Sequence, residues 1–92
     1  MKIIVFCPEW EVLYEKCVSI IDRLRSLSID CELRTTITIS DLKLLETYES
    51  IVKVPQIIIL EDSKIVKRLS RDVIESNNVD NLVKLIVEYS SN

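Results

Sequence analysis

The spacing of apolar residues changes twice along the first third of the chain, and each spacing predicts a different element of secondary structure. Lys2–Phe6 is an unbroken β-branched and aromatic run, which is typical of a strand buried on both faces. Across 13–27 the apolar positions recur every three or four residues, which predicts an amphipathic helix. Ile29, Cys31 and Leu33 then alternate with polar residues, so we expect a second strand with one face in water.

The rest of the chain predicts a helix, a hairpin and a final helix. Ser40 is a suitable N-cap for a short helix that continues to about Tyr48. Residues 57–60 form a second buried strand, and residues 64–69 return antiparallel to it after a turn. The last helix covers about 79–89. The predicted fold is therefore one α/β domain over 1–92, β-α-β-α-β-β-α, with a four-stranded mixed sheet and helices on both faces.

The composition of the chain argues against several classes of function. The chain contains no Gly and only 2 Pro, which is typical of an ordered domain rather than a linker. Its net charge is -3 with acidic and basic residues interspersed, so we expect no nucleic-acid partner. There is no His, which excludes Ser-His and Cys-His catalysis and argues against a metal site.

The apolar segments also bear on location. No segment approaches the roughly 18 apolar residues of a membrane span, and the run before Pro8 is too short for a signal peptide. We therefore expect a cytoplasmic protein without a membrane partner. The 3 cysteines are an odd number, and a reducing compartment does not favour a structural disulfide framework.

One segment in the second half of the chain carries a resemblance to a known family. Lys53-Val54-Pro55-Gln56, just before the third strand, is similar to the cis-proline segment of thioredoxins and glutaredoxins, and the element order is also theirs. The resemblance implies a thioredoxin-like fold in which Val54 and Pro55 border a site. The backbone before that proline would pair with an extended substrate. The alternative is a proline that opens a strand, where its missing N–H has no cost.

The segment Phe6-Cys7-Pro8-Glu9-Trp10 lies where this family carries its Cys-x-x-Cys redox motif. In the thioredoxin register, Trp10 matches the tryptophan before the motif. Glu11 and Tyr14 then take the thiol positions, and the dithiol is lost. In the glutaredoxin register, Cys7 keeps the first thiol and Trp10 replaces the second. The residues alone do not decide between the two registers.

Each cysteine can be interpreted as a reactive or as a core residue. With Pro8 at the first helical position, Cys7 would be the N-cap, and unpaired N–H groups would lower the pKa of its thiol. Alternatively Cys7 is half-buried at a strand end, where the nearby glutamates oppose a thiolate. Cys17 lies on the apolar stripe of the helix and Cys31 on the inward side of its strand, so we expect both in the core.

Two functions from different classes follow from the resemblance. The first is a redox-inactive protein-binding module with a degenerate site. It would hold a protein partner beside Pro55, or through Trp10 and Tyr14 on one helix face. The second is a single-cysteine thiol-disulfide oxidoreductase in which Cys7 attacks a disulfide substrate. A second thiol molecule would resolve the intermediate, because Cys17 would lie about two and a half turns along the helix.

Glutathione is not predicted as a cofactor. Glutaredoxins hold it with a Gly-Gly turn, and Leu69-Ser70-Arg71-Asp72 takes that place here. Arg71 could pair with a carboxylate, but we interpret it as a surface residue. The solvent exposure of Trp10 and Cys7 would distinguish the two functions. An exposed Trp10 with a buried Cys7 would favour the binding module, and an exposed Cys7 near Pro55 would favour the enzyme. A structural subunit that assembles through the sheet edge or the last helix is a third alternative.

Overall fold

The structure, a computed structural model, describes residues 1–45, 47, 48 and 51–90. Buried β-branched runs form its central strands, and the segments with apolar stripes form its longer helices. The elements in chain order are β1 (Lys2–Phe6), α1 (Tyr14–Ser26), β2 (Cys31–Arg34), a 3-10 helix (Ser40–Lys43), β3 (Thr47–Tyr48), β4 (Ile51–Val52), β5 (Gln56–Glu61), β6 (Lys64–Leu69), α2 (Arg71–Ser76) and α3 (Val79–Ser90).

The sheet is mixed and has the strand order β2-β1-β5-β6. β1 pairs in parallel with β2, with Ile3 opposite Cys31, because the connection between them crosses over through α1. β5 is antiparallel to both β1 and β6, and β6 follows it through a hairpin turn at Asp62 and Ser63, both with positive φ. The predicted α/β class and four-stranded mixed sheet are confirmed.

Both faces of the two central strands are covered, as their continuous apolar runs require. Ile3, Val5, Ile57 and Ile59 lie on the face that packs against the stripes of α1 and α3. Ile4, Phe6 and Ile58 lie on the opposite face with Leu45, and the segment between β2 and β5 covers them. A cleft opens at one end of this sheet, where β1 ends and β5 begins.

The helix predicted from Ser40 to Tyr48 is wrong in its extent. Only Ser40–Lys43 is helical, with 3-10 geometry, and Tyr48 lies in β3, which pairs with β4. The Asp41 carboxylate accepts the Thr38 N–H at 2.9 Å and also pairs with Arg34. This local side-chain bond, together with the Leu44 N–H donating to the Asp41 carbonyl, competes with a longer α-helical ladder.

The short helix α2 has no counterpart in the sequence-based prediction. Ser70 is its N-cap, and its hydroxyl accepts the Val73 N–H at 3.4 Å. Asp72 in the first turn complements the helix dipole. A Ser followed by an acidic residue after a strand is the signal that would have indicated this helix.

Asp41 should make the free energy of unfolding fall as the pH becomes acidic. Its side chain is 5% exposed, and the Thr38 N–H, followed by Arg34, holds the pKa of its carboxyl below the usual range. A carboxyl with a lowered folded-state pKa stabilises the fold above its unfolded pKa of about 4, and this stabilisation is lost as the pH falls. Asp41→Asn should therefore lower the free energy of unfolding at pH 7 by about 1–2 kcal/mol.

The same substitution should flatten the acid dependence of stability. Urea unfolding between about pH 5 and pH 2 should show a shallower loss for Asp41→Asn than for the parent chain. Asp62→Asn, in an exposed turn, is the matched control and should change neither quantity. Parallel pH profiles for the parent and Asp41→Asn would contradict this assignment.

Candidate functional site

The loop between β1 and α1, residues 7–13, forms one wall of the site. The Cys7 N–H donates to the Arg34 carbonyl at 2.9 Å, so Cys7 continues the ladder between β1 and β2. Two turns follow, in which the Glu11 N–H donates to the Pro8 carbonyl and the Tyr14 N–H donates to the Glu11 carbonyl. The helix begins only at Tyr14. The expectation that Pro8 opens the helix with Cys7 as N-cap is therefore wrong.

A cleft of about 550 Å³ lies between this loop, the segment before β5 and the start of α2. The Val54–Pro55 peptide bond is cis, Pro55 is buried, and Val54 lines the cleft wall. The residues that line the cleft are Trp10, Glu11, Val52, Lys53, Val54, Ser70, Arg71 and Asp72. This volume lies within the range of ordinary ligand pockets.

Arg71 joins the three walls of the cleft. Its Nη1 donates to the Val54 carbonyl at 2.6 Å and lies 2.8 Å from Glu11 Oε1. The Glu11 side chain is 7% exposed, whereas that of Arg71 is 31% exposed. The Glu11 carboxylate, through its hydrogen bond, raises the pKa of the Arg71 guanidinium. Of the two interpretations of Arg71, pairing with a carboxylate is the one that the structure shows, because α2 turns its side chain toward Glu11.

Trp10 and Tyr14 do not share a surface. Trp10 lies in the loop before α1 and is 77% exposed at the rim of the cleft, and Val12 on the same loop is 85% exposed. Tyr14 is the first helical residue and packs against the core. The prediction of a common helix face is wrong because residues 10 and 14 belong to different elements.

Cys7 and Cys17 lie together beneath the loop. Neither has any exposed surface, and both belong to the core between the sheet, α1 and α3. A hydrogen bond between the two thiols lowers the pKa of Cys7 and raises that of Cys17. The Cys7 thiol also donates to the Pro8 carbonyl at 3.7 Å. Burial and the charge of Glu11 oppose the lowering at Cys7. Both cysteines were expected to be too far apart to interact, and the late start of α1 brings them together.

The structure thus divides the predicted site residues into two groups. Trp10, Glu11 and Val54 meet at the cleft beside the cis bond to Pro55. Cys7, Pro8 and Tyr14 lie in or against the core. The sequence analysis named Ser70, Arg71 and Asp72 but left them out of the site, because only the fold places the start of α2 opposite the β1–α1 loop.

A comparison with solved structures finds a similar fold. Thioredoxin 1 from the thermophilic eubacterium Thermosipho africanus superposes with a TM-score of 0.68 and is 23% identical, with 99% of this chain and 96% of that chain covered. The chain has a thioredoxin-like fold. No protein-family model matches the sequence, and no curated protein matches it.

Within 1–45, 47, 48 and 51–90, no group of three or more Cys, Asp or Glu side chains is placed to hold a metal ion. In the same part of the chain, none of the helices has the length and apolar character that crossing a bilayer requires.

Proposed function

We propose that this chain is a thioredoxin-like binding module that holds an extended segment of a protein partner in the cleft and exchanges no thiols there. The observation that carries the proposal is the Glu11–Arg71 ion pair beside the cis bond to Pro55. A carboxylate and a guanidinium cannot form a disulfide. In the thioredoxin register, Glu11 takes a position where such a cleft would need a reactive thiol.

The geometry supports the thioredoxin register of the sequence. In this register Glu11 and Tyr14 take the two thiol positions, and Trp10 precedes them. Glu11 faces the segment that ends at Pro55, and the Tyr14 N–H bonds to the Glu11 carbonyl at 3.0 Å, so the two positions span one turn. The glutaredoxin register would place Cys7 at the cleft, whereas Cys7 lies in the core.

The charge and shape of the cleft favour an uncharged, extended peptide segment with an apolar side chain. Two acidic and two basic side chains line the cleft, so their charges cancel and select neither an anion nor a cation. Trp10 extends into solvent at its rim, Val12 on the same loop is also exposed, and an exposed tryptophan is a frequent anchor of protein interfaces. We infer that a partner's apolar side chain packs against Trp10 while its backbone follows residues 52–54.

The single-cysteine oxidoreductase remains the alternative. It is favoured by the lowered pKa of Cys7, which the hydrogen bond with Cys17 produces. It is opposed by the complete burial of Cys7, because the sulfur must reach a disulfide in line for attack. An exposed Trp10 above a buried Cys7 is the combination that favours the binding module.

Peptide selection tests this function. A random peptide library would be selected on the purified chain, and the affinities of recovered peptides would be measured by the anisotropy of a labelled peptide. Trp10→Ala should weaken binding at least about tenfold, because it removes the apolar anchor. Leu27→Ala, an exposed apolar position outside the cleft, is the control and should leave the affinity unchanged.

Two results would contradict the binding module. One is a selection that yields no binding peptide, or only peptides that bind Trp10→Ala equally well. The other is catalysis by the parent chain of insulin disulfide reduction in dithiothreitol that Cys7→Ala abolishes, which would support the single-cysteine enzyme. We expect the parent chain to leave the uncatalysed rate unchanged.

A further inference from the structure

The buried thiols of Cys7 and Cys17 form a pair that the cleft does not use. Cys7 directly follows β1, and Cys17 lies in the first turn of α1, where its N–H donates to the Leu13 carbonyl at 3.0 Å. Both side chains are fully buried in the same core, and their sulfurs are hydrogen-bonded to each other. The contact between the two cysteines therefore connects the end of β1 to the first turn of α1, on the core side of the β1–α1 loop.

The third cysteine has a different environment. The Cys31 thiol donates to the Ile21 carbonyl at 3.8 Å, and Cys31 is partly exposed on β2. The chain thus contains two adjacent buried thiols and one separate thiol that serves as an internal reference. Because a disulfide requires its sulfurs to approach to about 2 Å, only neighbouring thiols can be linked without large backbone movement.

We propose that Cys7 and Cys17 are a redox pair that a small peroxide converts to an intramolecular disulfide, and that this bond changes the setting of the loop that carries Trp10. The Cys7 thiolate attacks one oxygen of hydrogen peroxide, which gives a sulfenic acid at Cys7 and, after proton uptake, one water. The Cys17 sulfur then attacks the Cys7 sulfur and displaces the second water. Two thiols and one peroxide give one disulfide and two waters.

The sulfur with the lower pKa attacks first. The hydrogen bond between the two thiols lowers the pKa of Cys7 and raises that of Cys17, so Cys7 attacks the peroxide and Cys17 resolves the sulfenic acid. The Cys7 thiol donates to the Pro8 carbonyl at 3.7 Å and gives up this bond when it ionises. The complete burial of the pair favours a small oxidant over a bulky disulfide. The new bond would close the loop that contains Trp10 and Glu11, because both lie between the two cysteines.

Peptide mass spectrometry tests the pair. The folded chain would be treated with hydrogen peroxide, unfolded, alkylated and digested with trypsin, which separates the cysteines into peptides 3–16, 17–23 and 26–34. We expect peptides 3–16 and 17–23 to be linked, with a mass about 2 Da below that of the two reduced peptides. Cys31 should remain alkylated. Cys31→Ala should give the same link, and Cys17→Ala should give none.

Trp10 is the single tryptophan of the chain, so its fluorescence tests whether the disulfide changes the conformation of the loop. It should change on oxidation, return with dithiothreitol, and stay constant in Cys17→Ala. A link that forms without this change would overturn the coupling to the loop.

Three other results would overturn the redox pair itself. The first is an intermolecular disulfide, and the second is a disulfide that involves Cys31. The third is that Cys7 and Cys17 remain reduced at a peroxide concentration that oxidises Cys31. A glutathione adduct on Cys7 after treatment of the folded chain with oxidised glutathione would overturn it as well, because such an adduct requires an exposed thiol. Circular dichroism of each variant confirms that it is folded before the comparison.

Discussion

The double variant Glu11→Cys, Tyr14→Cys is expected to catalyse insulin disulfide reduction in dithiothreitol at least about tenfold faster than the parent chain. Residues 11 and 14 span one turn, and the ends of a turn lie within the Cα separation of about 4.4–6.8 Å that a disulfide needs. A thiol at position 11 would meet the Arg71 guanidinium, which favours the thiolate. A fall of its pKa from about 8.5 to about 7 raises the thiolate fraction at pH 7 roughly fifteenfold.

A matched dithiol away from the cleft is the control for this experiment. Ser19→Cys, Asp22→Cys places the same Cys-x-x-Cys spacing on the exposed side of α1, without Arg71 or the cis bond nearby. If a folded Glu11→Cys, Tyr14→Cys variant were no faster than this control, position 11 would not be the first thiol position of a thioredoxin-like cleft. The register proposed above would then be wrong.

Arg71→Ala is expected to lower the free energy of unfolding by about 2–3 kcal/mol at neutral pH. The substitution removes the cation from a Glu11 side chain that is 7% exposed, and it removes the donor to the Val54 carbonyl. Breaking a buried ion pair costs about 3–5 kcal/mol because one charge is left in a poorly solvated place. The smaller value applies here because Arg71 is itself 31% exposed. Urea unfolding measures the loss.

A second substitution separates the ion pair from other effects of losing Arg71. Glu11→Gln removes the charge that Arg71→Ala leaves behind, so the double variant should regain about 1 kcal/mol relative to Arg71→Ala. The matched control is Arg23→Ala, whose partner Asp80 is exposed, and it should cost less than about 1 kcal/mol. Equal losses for Arg71→Ala and Arg23→Ala would show that the cleft pair does not hold these segments together.

Together these variants distinguish two kinds of cleft on one fold. In the proposed register, a redox cleft would need a thiol at position 11, free to attack and then to be released. The Glu11–Arg71 pair instead fixes the loop to the segment before Pro55 and to α2, so the cleft is a preformed surface. A preformed surface suits the binding of an extended segment, because less conformational entropy is lost on association.

The sequence by itself determined the sheet and the longer helices. The continuous runs at Lys2–Phe6 and 57–60 predict central strands, because only a strand covered on both faces buries every residue of such a run. The threefold and fourfold spacing from 13 to 27 predicts α1 in the same direct way. Trp10, Val54 and Pro55 could also be assigned to one site, since a local motif resembles a known family.

Only the tertiary structure decided which chemistry the site contains. The Glu11–Arg71 contact joins residues that are far apart in the sequence, and no periodicity links them. The meeting of Cys7 and Cys17 depends on where α1 begins, and local turns at Pro8 and Glu11 set that point rather than the apolar pattern. The 3-10 helix at Ser40–Lys43 likewise depends on Arg34 and Thr38 holding Asp41. Pairs of side chains on different elements leave no periodic pattern in the sequence. Such pairs can be identified only in the folded structure.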